Sequence, residues 1–92
     1  MNTDVIHNEE LQRYEIHLDG TKVGHADYKI DGDVLVFDHT EVDPAQQGKN
    51  LAGILMREAL EDVRARGLKM LPVCSYVVMF VERYDEFADL VA

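Results

Sequence analysis

His39-Thr40-Glu41-Val42-Asp43-Pro44-Ala45-Gln46-Gln47-Gly48-Lys49-Asn50-Leu51-Ala52 is the stretch on which the fold turns. An apolar strand pattern runs into it, Pro44 marks a loop, and a strongly amphipathic helix pattern begins near Leu51. A glycine-bearing loop that feeds a helix start makes an anion site. The N–H groups of a first helical turn lack intrahelical acceptors, and the helix dipole favours negative charge beside them. The loop therefore reads as a site for a phosphorylated ligand.

Upstream, Val5 to Asn8 and Leu11 to Leu18 alternate in part, with Tyr14, Ile16 and Leu18 on one side. Asp19-Gly20 marks a hairpin turn and Lys22 to Ile30 the next strand. Asp31-Gly32-Asp33 repeats that turn chemistry before a strand from Val34 to Val42. The run Val34-Leu-Val-Phe37 is apolar at every position, which predicts cover on both faces of the sheet. The first half is thus an antiparallel meander.

Downstream of Leu51 the period changes. Ala52, Leu55, Met56, Ala59, Leu60 and Val63 form the stripe of a helix lying on a core. Gly67 is placed as a left-handed cap with Leu68 folding back. Lys69 to Cys74 reads as a short strand that Pro72 assigns to an edge or bulge. Ser75 is the expected cap of a second helix carrying Tyr76, Val77, Phe80 and Tyr84. The fold class is α+β: a mostly antiparallel sheet packed with two helices, one domain over residues 1–92.

Ninety-two residues support one small core, burying roughly 60–65% of the unfolded chain's surface. An apolar share of 47% with a mean hydropathy of -0.21 excludes a disordered chain. No apolar run approaches the ~18 residues of a membrane span. The single cysteine, Cys74, excludes an internal disulfide and fits a reducing, cytoplasmic location. A net charge of -9 without a basic stripe argues against nucleic acid as a partner. His7, His17 and His25 have no ligand-spaced partners along the chain, so no metal site is expected.

The run Gln47-Gly-Lys-Asn-Leu-Ala52 resembles the pyrophosphate-binding signature of GNAT-type N-acetyltransferases, Q/R-x-x-G-x-G/A. Asn50 stands where glycine is usual, and Asn is the next best residue at positive φ. The ordered set is similar to a small single-domain branch of that family. That set is His39-Thr-Glu-Val-x-Pro, Gln47-Gly-Lys, the long helix, Gly67, Pro72-Val-Cys74 and an aromatic closing helix. The resemblance implies a reduced GNAT-like fold that keeps the cofactor half and lacks most of the acceptor half, leaving an open groove.

The resemblance further implies acetyl-CoA or CoA as co-substrate. It would be held by Val42, Gln47, Gly48, Lys49, Asn50, Leu51 and Ala52 and used to acetylate an amine of a small molecule or a protein. His39 and Glu41, two residues apart on one strand, share a face, and either could deprotonate an incoming ammonium. Glu41 needs burial to do so. Cys74 is implied as an acid for the departing thiolate or as a nucleophile forming an acyl-cysteine; a buried apolar role is the structural alternative. Tyr76 and Tyr84 are alternative acids at helical spacing. The competing function is a CoA-binding or protein-interaction module that keeps the fold without catalysis. Neither acceptor nor oligomeric state is legible.

Overall fold

The computed structural model describes residues 2–92. The elements are β1 (Thr3–Asn8), β2 (Arg13–Leu18), β3 (Thr21–Asp31), β4 (Val34–Val42), a 3-10 turn (Pro44–Gln46), α1 (Leu51–Ala65), β5 (Lys69–Pro72), α2 (Ser75–Arg83) and a closing 3-10 segment (Asp85–Leu90). The five strands form one sheet in sequence order. Strands β1 to β4 are antiparallel neighbours, and β5 runs parallel to β4.

Turn chemistry sets the meander. Asp19 and Gly20 both take positive φ, 49° and 87°, as a two-residue hairpin turn requires. The first turn is longer than the sequence suggests. Asn8 Oδ1 accepts the Leu11 N–H at 3.1 Å, Gln12 takes φ 53°, and β2 opens at Arg13 instead of Leu11.

The register of β3 on β4 slips by one residue. Tyr28 pairs with Phe37 but Asp27 pairs with His39, so Asp38 is a bulge residue without a partner. Leu35 and Phe37 face the core, and beyond the bulge Thr40 and Val42 take over that side, opposite Ala26 and Gly24. His39 and Glu41 are thereby turned to the other face.

Both helices share one core, with Tyr14, Phe37, Leu55, Leu60, Met70 and Phe87 almost fully covered. The α1 stripe is as expected except at its start, where Leu51 is buried and Ala52 is half-buried. Helix α1 ends as predicted: Gly67 has φ 71° and the Leu68 N–H returns to the Val63 carbonyl at 3.1 Å. The outer side of β5 is not bare, since the Ala92 N–H donates to the Met70 carbonyl at 2.8 Å.

One expectation fails. Val34 and Val36 are only half-buried, because the helices lie together on the Leu35 and Phe37 side. The opposite face carries Arg13, Glu15, His25, Asp27, His39 and Glu41, side chains that tolerate water.

Candidate active site

The loop between β4 and α1 is held in a strained path by its own residues. Asp43 caps the 3-10 turn, its Oδ1 accepting the Ala45 N–H at 3.0 Å. Gly48 and Asn50 follow at φ 89° and 56°, both in the left-handed region. The first helical bond runs from the Ile54 N–H to the Asn50 carbonyl at 3.1 Å. Among the described residues, the main-chain N–H groups of Gly48 through Gly53 have no main-chain acceptor, and the Asn50 side chain does not cap them. Of these residues, Gly48, Asn50, Leu51 and Ala52 line a hollow of about 230 Å³, together with Val42, Gln46 and Gln47. Free amides and the positive end of a dipole converge there. Of the residues expected to line this hollow, Lys49 alone does not; its ammonium donates to Gln46 Oε1 at 2.6 Å.

A second opening adjoins the hollow. Pairing of β4 with β5 stops at Phe37 and Pro72. The Phe37 carbonyl then accepts both the Val73 and Cys74 N–H groups, each at 3.0 Å, and the chain turns into α2. From His39 to Val42, β4 therefore has β3 on one side and no strand on the other. Val42 belongs both to this bare edge and to the hollow.

Cys74 closes the gap from the helix side. It occupies the cap position of α2 that the sequence suggested for Ser75 and is half-buried. Burial pushes its thiol up. The amides of Tyr76 and Val77, with the hydroxyl and main chain of Thr40, outweigh that effect and hold it below the ordinary thiol value. Thr40 Oγ1 is buried and closes no hydrogen bond of ordinary geometry among the described residues, so the Cys74 thiol is the polar group facing it. Thr40 was invisible as a site residue, because only the Asp38 bulge puts it on the Cys74 side. The spacing Leu35, Phe37, Thr40, Val42 carries that signal: an apolar alternation that skips one residue.

His39 and Glu41 do share a face, as expected, and both are exposed. The burial that would make Glu41 a base is absent, its side chain being 63% exposed. His39 and Cys74 lie on neighbouring elements but flank the bare edge from opposite faces. Tyr76 and Tyr84 pack against Phe80, with ring centroids 6.2 and 4.7 Å away.

His25, without ligand-spaced partners along the chain, gains them across the sheet. The β3–β4 register sets His25 opposite Glu41 and Asp27 opposite His39, which gathers four polar side chains on the open face.

A family model described as GCN5-related N-acetyl-transferase matches residues 13–90. No curated protein matches the chain in sequence. In fold it is similar to a GCN5-like protein from Staphylococcus aureus, with TM-score 0.74 at 21% identity, over 97% of this chain and 87% of that one. It is similar also to the ribosomal-protein-S18-alanine N-acetyltransferase from Escherichia coli, with TM-score 0.67 at 16% identity, over 83% of this chain and 52% of that one. The PaiA N-acetyltransferase from Thermoplasma acidophilum, solved in complex with coenzyme A, aligns with TM-score 0.61 at 17% identity, over 77% of this chain and 48% of that one. The chain spans about half the length of these last two enzymes. The bare edge of β4 and the amide-lined hollow both fall within the residues that the family model covers.

Proposed function

Since the chain belongs to the GCN5-related N-acetyl-transferase family, we propose that it transfers the acetyl group of acetyl-CoA to an amine presented at an open groove. The observation that carries this reading is the hollow next to the bare edge of β4, lined by Gly48, Asn50, Leu51 and Ala52, whose amides have no main-chain acceptors among the described residues. The amides suit the pyrophosphate, and the gap between β4 and Cys74 suits the thioester. With the acetyl group in the plane of the sheet, its carbonyl carbon is open to attack from the uncovered face.

On that face the amine, arriving as an ammonium, gives a proton to His39. Its nitrogen then attacks, forming the C–N bond as the C–S bond breaks, and the departing thiolate takes up a proton. Glu15, Asp27 and Glu41 surround the approach with negative charge, which favours a cationic acceptor, whether a small-molecule or a protein amine. The lowered thiol of Cys74 suits a two-step route: its thiolate attacks acetyl-CoA and expels the CoA thiolate, after which the C–S bond that the amine breaks is that of the acyl-cysteine and the departing thiolate is Cys74's. An exposed His39 favours catalysis over a binding module, since a histidine sealed in the sheet could take no proton from a substrate.

The test is a titration with CoA and acetyl-CoA, coupled to free-thiol release with and without amines. His39→Ala should cut turnover by roughly 10²–10⁴ with CoA affinity nearly unchanged. Mass spectrometry after mixing with acetyl-CoA should find a labile acetyl group on wild-type chain and none on Cys74→Ala. CoA binding with no thiol release for any amine would leave a binding module. Wild-type turnover in both alanine variants would refute the assignment of the pair.

A further inference from the structure

The uncovered face holds a cluster of donor atoms that acetyl transfer uses only in part. His25 sits opposite Glu41 and Asp27 opposite His39. Residues two apart on a strand share a face, so the register packs two imidazoles and two carboxylates into one array. His25 Nε2 lies 3.6 Å from Asp27 Oδ2 and 3.6 Å from Glu41 Oε2. One donor atom each of His25, Asp27 and His39 lies within 4.8 Å of the other two. With bonds of about 2.0–2.1 Å, tetrahedral donors stand roughly 3.3 Å apart. The His25–Asp27 edge of that triangle is already near that length, as is the distance from His25 to Glu41, and rotation of the exposed His39 closes the two remaining edges.

The surroundings are built to hold such an array. His25 is 12% exposed, so its neighbours hold the ring in place. Arg13 Nε donates to Asp27 Oδ1 at 3.0 Å, which leaves Oδ2 aimed at His25. An outer contact of that kind orients a ligating carboxylate.

We propose that His25, Asp27 and His39, with Glu41 or a water as fourth ligand, bind one divalent transition-metal ion of the zinc type. Two imidazoles with one or two carboxylates suit Zn²⁺, whereas Mg²⁺ and Ca²⁺ require more oxygen donors. Lys22 Nζ, 3.0 Å from His25 Nδ1, has to withdraw, because Nδ1 carries the proton once Nε2 is on the ion. Lys22 is exposed and free to swing. One consequence rests on the acetyl-transfer reading: an ion on His39 takes away the base, so zinc inhibits turnover reversibly.

Isothermal titration of chelator-treated chain with Zn²⁺ tests the site. One ion per chain with roughly micromolar or tighter affinity is expected, with no heat from Mg²⁺. His25→Gln and Asp27→Asn should each weaken Zn²⁺ binding at least about tenfold. Cys74→Ser, on the other side of β4, should leave it unchanged. Should His25→Gln fail to fold by circular dichroism, the isosteric Asp27→Asn carries the test alone. Absence of zinc binding to wild type, affinity retained in folded Asp27→Asn, or affinity lost in Cys74→Ser each overturns the site. The binding readout needs no turnover, so a chain that takes zinc but acetylates nothing refutes only the enzymatic reading.

Discussion

Asn50→Asp separates the helix start as a structural feature from the helix start as a ligand site. The two residues are nearly isosteric and both tolerate the left-handed φ of 56° found there. The side chain lies over the first turn of α1, since a Cβ added at Gly53 would fall 2.5 Å from Asn50 Oδ1. A carboxylate in that place meets free amides and the positive end of the dipole. It should stabilise the unliganded chain by about 0.3–1 kcal/mol. In a domain of this size that raises the melting temperature by about 2–6 °C.

The same charge opposes a bound pyrophosphate. At ~5 Å and an effective dielectric between ~20 and ~80, two unit charges repel by about 1–3 kcal/mol. CoA affinity should therefore fall roughly 5- to 150-fold, and the loss should shrink at high salt, where the Debye length drops to ~3 Å. Thermal melts and CoA titrations at low and high ionic strength read both effects. A folded Asn50→Asp chain that binds CoA as wild type does at low salt would refute the anion site at α1.

Three further outcomes are expected. Gly24→Ala puts a Cβ 2.8 Å from the Glu41 carbonyl oxygen and 3.1 Å from a Val42 methyl, so it should cost about 1–3 kcal/mol; an unchanged melting temperature would show that β4 yields freely there. Alkylation of Cys74 should reach half its maximal rate below the ordinary thiol pKa of about 8.5. Thr40→Val should raise that midpoint, and an equal midpoint in both chains would remove Thr40 from the site. His7, stacked on Tyr14 at 4.2 Å and 2.6 Å from the Tyr28 hydroxyl, is held below its normal pKa, mainly by burial and also by Arg66. The unfolded chain then binds the extra proton first, so this contribution is whole above the unfolded value of about 6.5 and fades as pH falls through it. Melting temperature should drop between neutral and mildly acidic pH, and less steeply in His7→Gln; equal slopes would rule His7 out.

Much of this was legible from local chemistry. Asp19-Gly20 and Gly32-Asp33 announce hairpins because Asp19, Gly20 and Gly32 take positive φ, which few residues accept. The spacing of Leu55, Met56, Ala59, Leu60 and Val63 announces a helix with one apolar face, though it misses Leu51 as the first buried residue. The Gln47 to Ala52 run pointed to left-handed residues before a helix start with free amides, because φ preference and helix-end amides are properties of the local chain. Errors of detail arose where a side chain bonds its own neighbours, as Asn8 does in delaying β2 to Arg13.

What the sequence by itself determined is therefore the list of elements, their order and the loop whose amides remain free. All of these follow from contacts among residues close in the chain. Which side chains meet was decided only in the tertiary structure. One extra residue, Asp38, inverts every later side chain of β4, because the strand period is two. That inversion sends Thr40 to Cys74, and it sends His39 and Glu41 across to His25 and Asp27 on a face no helix covers. Register between strands is settled by how two surfaces pack together, so the skipped residue in Leu35, Phe37, Thr40, Val42 hints at a bulge without saying which residues of β3 face it.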